Sequence, residues 1–149
     1  MALDIRVLGD EFFDEEQRIG ALQVEAPDAD LYQVVIGRGM LTKTAEIAQF
    51  DQHSSVHVVT DQEVVKTEWF KPFMQTLLDD PRVYGGAIAI PSGEQHKTVD
   101  TAKLVWAELK ERNADRNALV LNIGGGVVGD LGGWAADSWK RGVRFVQIP

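Results

Sequence analysis

The chain has 149 residues, of which 44% are hydrophobic and 26% charged, proportions that suit one soluble globular domain with a sizeable core. It contains no cysteine, which excludes a disulfide framework and any thiolate metal site, and its three histidines, His53, His57 and His96, lack zinc-ligand spacing and read as surface or loop residues. The net charge of −8 is concentrated in residues 1–30, which hold nine acids against Arg6 and Arg18; such a leader disfavours nucleic acid, and with no apolar run of membrane-spanning length and no signal-peptide pattern, the expected location is the cytoplasm.

In chain order, residues 4–8 (DIRVL) and 32–36 (YQVVI) read as two strands that pair antiparallel across an acidic connection, with Gly37 and Gly39 breaking the second. The acidic run 11–16 reads as a solvated extension or peripheral hairpin. Residues 41–50 suit a short helix, and 56–59 (VHVV) a buried strand ending in Thr60 and Asp61. A carboxylate at that strand end can hold a ribose diol or cap the next helix. Residues 64–78 place Val65, Trp69, Phe73 and Leu77 on one helical stripe that reads as core, with Pro72 near a first turn.

Residues 83–90 (VYGGAIAI) read as the next strand, followed by the polar loop Pro91-Ser92-Gly93-Glu94-Gln95-His96-Lys97. Glu94 and Lys97 there form either a surface ion pair or a ribose and nucleotide contact. Thr98 offers an N-cap to a helix carrying Val99, Ala102, Trp106 and Leu109 at helical spacing. The apolar run 119–123 (LVLNI) suits a strand buried on both faces, and residues 143–148 (VRFVQI) form a last strand. The order predicts an α/β domain, a Rossmann-like, mainly parallel sheet with helices on both faces, preceded by the antiparallel strand pair. Residues 1–31 form the leader and 32–149 the α/β core of one domain, 1–149.

Between the strand 119–123 and the following helix, Gly124, Gly126 and Gly129 match the spacing G-x-G-x-x-G. In that context glycines let backbone approach a pyrophosphate whose charge sits at a helix N-terminus. Gly129, Gly132 and Gly133 lie within the helix, at a cost of about 1 kcal/mol each. Close packing on the sheet and close approach of a ligand are the two explanations, with the ligand favoured at Gly125 and Gly126. The motif lies late in the chain, and no acid follows it about 20 residues on, so an ordinary dinucleotide fold is a poor match.

Five ordered motifs together resemble the 3-dehydroquinate synthase family, within the sugar phosphate cyclases. They are Ile36-Gly37-Arg38-Gly39, Thr60-Asp61, the loop from Pro91 to Lys97, Gly124-Gly125-Gly126-Val127-Val128-Gly129-Asp130, and Arg141-Gly142-Val143-Arg144-Phe145-Val146-Gln147-Ile148-Pro149. The resemblance runs from about Tyr32 onward. It implies the NAD-binding N-terminal domain of a homodimeric shikimate-pathway enzyme that converts 3-deoxy-D-arabino-heptulosonate 7-phosphate into 3-dehydroquinate and phosphate.

By that resemblance, Asp61, Glu94 and Lys97 contact the adenosine side of NAD, and Gly125 and Gly126 the pyrophosphate. The rest of the cofactor lining is Ser92, Gly93, Gln95, His96, Val127, Val128 and Gly129. Asp130 serves the nicotinamide riboside beside the substrate, and Arg141 the substrate phosphate in the partner subunit. The family's divalent metal, zinc or cobalt, is held by a helical C-terminal domain beyond Pro149, so no metal ligand is expected here and the domain alone is expected to be inactive. The other classes in play are another sugar phosphate cyclase, an iron-dependent alcohol or glycerol dehydrogenase, and a non-catalytic nucleotide-binding module.

Overall fold

A computed structural model describes the backbone of residues 4–7, 20–26 and 29–149, and side chains from residue 33 onward. The acidic run 11–16 and Leu8 lie outside the described residues. The chain forms two compact units, Met1–Lys43 and Thr44–Pro149.

The first unit is a three-stranded antiparallel sheet in the order β1 (Asp4–Val7), β2 (Gly20–Ala26), β3 (Ala29–Ile36). The two strands expected to pair with each other do not. β2 stands between them, with Ile5 opposite Val24 and Val24 opposite Tyr32. The signal for β2 is present in the sequence, since Leu22 and Val24 alternate with Gln23 and Glu25; the acids around it obscure that alternation.

The second unit opens with the four-residue helix α1 (Thr44–Ile47), which with the flanking 3-10 turns Met40–Lys43 and Phe50–Gln52 replaces the single helix expected at 41–50. Its sheet is parallel throughout, in the order β5 (Ile88–Ile90), β4 (Val56–Asp61), β6 (Leu119–Ile123), β7 (Arg144–Ile148). The helices α2 (Phe70–Leu78), α3 (Val99–Glu111) and α4 (Gly126–Ser138) connect the strands.

Two apolar clusters show how the faces are covered. Val56, Val58, Leu119, Leu121 and Ile123 pack with Phe70, Phe73, Met74 and Leu77 of α2. Val59, Ile88, Ile90 and Val120 pack with Val105 and Leu109 of α3 and Val128, Leu131 and Ala135 of α4. Helices therefore cover both faces. The chain adds β5 on one side of β4 and then β6 and β7 on the other, so the order of strand addition reverses between β4 and β6, the position at which open α/β sheets form a ligand crevice.

Two local expectations change. The aromatic stripe is only partly core, because a 3-10 turn (Val64–Lys66) ends before α2 begins and its phase is not continued. Val65 and Trp69 are consequently exposed, and Phe70, Phe73, Met74 and Leu77 make the buried face. The strand expected at 83–90 is reduced to residues 88–90, with Val83 making one isolated bridge to Val56, because Gly85 and Gly86 bend the chain and Gly86 has φ +87°.

His53 lies in a loop but is buried, and His57 is neither in a loop nor on the surface but buried inside β4. His53 Nδ1 lies 3.1 Å from the Asn117 carbonyl. His57, inside β4, meets Ser55 Oγ at 2.9 Å through Nε2 and stacks on Tyr84. Burial, aided by the nearby Arg112 guanidinium and opposed by Asp115, lowers its pKa from 6.5 to about 4. The unfolded chain therefore binds the extra proton first, and stability is expected to fall as pH drops from 6.5 towards 4, by about 2–3 kcal/mol. Denaturant titrations across that range check this: the His57→Gln variant should lack that part of the slope.

Candidate nucleotide site

Three loops meet at the C-terminal edge of the parallel sheet. Asp61 ends β4, and its Oδ1 accepts hydrogen bonds from the backbone N–H groups of Glu63 (2.8 Å) and Val64 (2.9 Å) and from Ser92 Oγ (3.0 Å). Ser92 Oγ in turn accepts from Glu63 N–H at 3.1 Å. Asp61 thus fills the capping role open to it in the sequence and also ties the loop after β4 to the loop after β5.

The loop after β5 turns at Gly93, where φ is +105° and an added Cβ would fall 2.6 Å from Gln95 Oε1. Glu94–His96 forms a 3-10 turn in which His96 is half-buried. Gln95 Nε2 stands 3.5 Å from the Ser92 carbonyl. Thr98 then caps α3, its Oγ1 accepting from Thr101 N–H at 3.3 Å.

The glycine cluster follows β6. Gly124 must be glycine: φ is +150° and a Cβ would lie 2.8 Å from Val128 Cγ2. Gly125 is the N-cap of α4 without any side-chain cap, and the first turn carries no acid. An added Cβ at Gly125 or Gly126 would meet nothing within 4 Å. A 13-residue helix N-terminus without a side-chain cap, open where Gly125 and Gly126 lack a Cβ, has the features of an anion site. Val128 is buried and Val127 packs against the core, so these two offer the site backbone only.

The helical glycines are explained by packing. A Cβ on Gly132 would sit 2.1 Å from Asn122 Oδ1, and one on Gly133 would sit 3.0 Å from Gln147 Nε2. Gln147 Nε2 also donates to the Gly129 carbonyl at 2.9 Å. Asn122 and Gln147 are register partners on β6 and β7, so two neighbouring carboxamides seat α4 on the sheet. Neither residue is singled out by the sequence, because the contact is between helix and sheet.

Lys97 Nζ lies 3.2 Å from Glu94 Oε1 and 2.6 Å from Asp130 Oδ2. Hydrogen bonding to Asp130 first and Glu94 second holds the ammonium above its usual range. The structure thereby joins residues that the resemblance divides between the adenosine and nicotinamide sides. Beside them Lys97, Thr98, Val99, Asp130, Leu131 and Trp134 line a groove of about 310 Å³. Trp134 lines this groove without being singled out by the sequence, although it follows Asp130 by four positions on one helix.

Arg141 is not in this cluster. It is exposed, beyond the C-terminal end of α4, on a turn where Lys140, Arg141 and Gly142 all have positive φ. No group of three or more His, Cys, Asp or Glu side chains converges among the described residues. Among them, no helix is long and apolar enough to cross a membrane.

Residues 87–149 match the family described as 3-dehydroquinate synthase N-terminal. A curated 3-dehydroquinate synthase from Rhodopirellula baltica is 35% identical over 137 residues, covering 88% of this chain and 36% of that protein. One from Nitrobacter hamburgensis is 41% identical over 119 residues, covering 79% and 30%. The chain spans about a third of the length of the curated relatives it matches.

Among solved structures, a 2-deoxy-scyllo-inosose synthase shares the fold with a TM-score of 0.74 at 20% identity, over 85% of this chain and 35% of that one. A 2-epi-5-epi-valiolone synthase from Streptomyces hygroscopicus subsp. jinggangensis, with NAD+ and Zn2+ bound, matches with a TM-score of 0.66 at 26% identity, over 84% and 34%. The structural neighbours are sugar phosphate cyclases.

Proposed function

We propose that the chain is the NAD-binding part of a 3-dehydroquinate synthase, a reading supported by the match of residues 87–149 to the family described as 3-dehydroquinate synthase N-terminal. The observation that carries this reading is the uncapped N-terminus of α4, where Gly125 and Gly126 leave space that any side chain would enter. That space and those donors fit a diphosphate. The NAD+ in a solved cyclase of this fold supports the choice of dinucleotide.

In this reading the N–H groups of the first turn of α4 hold the diphosphate. Asp61, Glu94 and Asp130 supply carboxylates for ribose hydroxyls, and Ser92, Gly93, Gln95, His96 and Lys97 complete the wall. When bound, NAD supplies a hydride acceptor that returns what it takes. The protein's share is to orient that ring and to keep Asp130 beside the reacting alcohol.

The whole reaction proposed is conversion of 3-deoxy-D-arabino-heptulosonate 7-phosphate into 3-dehydroquinate and phosphate, a lyase step of the shikimate pathway, in a cytoplasmic homodimer. The domain alone should not complete it. Arg141, held outward on its turn, would reach the substrate phosphate across the dimer, where a guanidinium fork suits a phosphate monoester.

In an enzyme of the relatives' length carrying this domain, Arg141→Ala is expected to raise the KM for the sugar acid phosphate about 10- to 100-fold, the range of one or two lost charge-assisted hydrogen bonds, with NAD affinity nearly unchanged. Steady-state kinetics and an NAD titration on the same variant test it, and equal losses for both ligands would remove the phosphate role.

A further inference from the structure

We propose that Lys97 is the exchangeable counter-ion of this site: without ligand it clasps Glu94 and Asp130 together, and an arriving diphosphate draws it away and frees both carboxylates. The inference rests on the reading of α4 as a diphosphate site and adds how that site is switched.

The clasp joins two separate loops. Glu94 and Lys97 follow β5, whereas Asp130 lies in α4 after β6, so one ammonium bridges the crevice at 3.2 and 2.6 Å. Its three charges sum to −1, a poor greeting for an anion unless the lysine turns toward it. All three side chains are solvent-accessible: Lys97 is 38% exposed, Glu94 74% and Asp130 64%. Exposed ion pairs are weak, worth no more than about fivefold in an equilibrium constant, so a diphosphate seated on uncapped helix N–H groups can compete for the lysine. Once released, the two carboxylates regain the oxygen lone pairs that the ammonium occupied, Oε1 of Glu94 and Oδ2 of Asp130, for hydroxyl donors. The exchange thus couples occupation of the diphosphate position to the readiness of positions on both sides of it.

Inorganic pyrophosphate is the probe, titrated calorimetrically into the wild-type chain, Asp130→Asn, Lys97→Gln and the double variant. Each substitution is at a solvent-accessible side chain, and Asp130→Asn is isosteric. Freeing Lys97 by Asp130→Asn is expected to tighten pyrophosphate about three- to fivefold, and the gain should shrink below about twofold when Lys97 is already glutamine. The same gain in both backgrounds would mean that only a repelling charge was removed, and the clasp would be discarded while the diphosphate site stands. Absence of pyrophosphate binding in all four proteins would instead remove the diphosphate site and the exchange with it.

Discussion

Gly132→Ala is expected to destabilise the second unit by about 1–3 kcal/mol, the opposite of what alanine does in an ordinary helix interior, where it gains about 1 kcal/mol over glycine. The reason is one contact: the new Cβ would lie 2.1 Å from Oδ1 of Asn122, a side chain with no solvent exposure on the central strand β6. Asn122 has no partner for either Oδ1 or Nδ2 among the described residues, so its amide already carries an uncompensated burial cost. Removing that amide makes room for the methyl. The double variant Asn122→Ala/Gly132→Ala should therefore be at least as stable as the wild type. Urea unfolding of the four proteins measures the coupling directly, and strictly additive effects would show that the amide does not occupy the space over Gly132.

Gly126→Val is expected to leave the fold intact and weaken NAD by at least about 100-fold, the loss of about two charge-assisted backbone hydrogen bonds. Nothing lies within 4 Å of the position its Cβ would take, and its backbone is not in the left-handed region, so the packed core has no quarrel with the side chain. The valine instead fills the open space at the α4 N-terminus, the position proposed for the diphosphate. Gly124→Val would be uninformative by comparison, because there the φ of +150° and the Val128 contact make the fold itself suffer.

The contrast among these glycines marks how far the sequence could be read. The cluster marks the turn between β6 and α4, and Thr98 marks the start of α3, because both signals are local. What each glycine is for was not legible. Gly132 and Gly133 face carboxamides of Asn122 and Gln147, which belong to the strands beneath α4, and only the helix–sheet register brings those groups together. The Lys97–Asp130 pair was hidden for the same reason: the two residues belong to loops after different strands.

Trp69 was misplaced because the periodicity was carried across a break between a 3-10 turn and α2, and β2 was overlooked because surrounding charge masked a clear alternation. His57 shows a further limit, since burial rather than residue type moves its pKa.

The central claim is that the uncapped N-terminus of α4 receives the diphosphate of NAD. The measurement that bears on it most directly is a calorimetric titration of NAD into the wild-type chain and into Gly126→Val under the same conditions, with thermal unfolding of both recorded alongside. Saturable binding to the wild type is expected, and none detectable to a variant that unfolds at the same temperature. Indistinguishable isotherms for the two proteins, whether steep or flat, would contradict it.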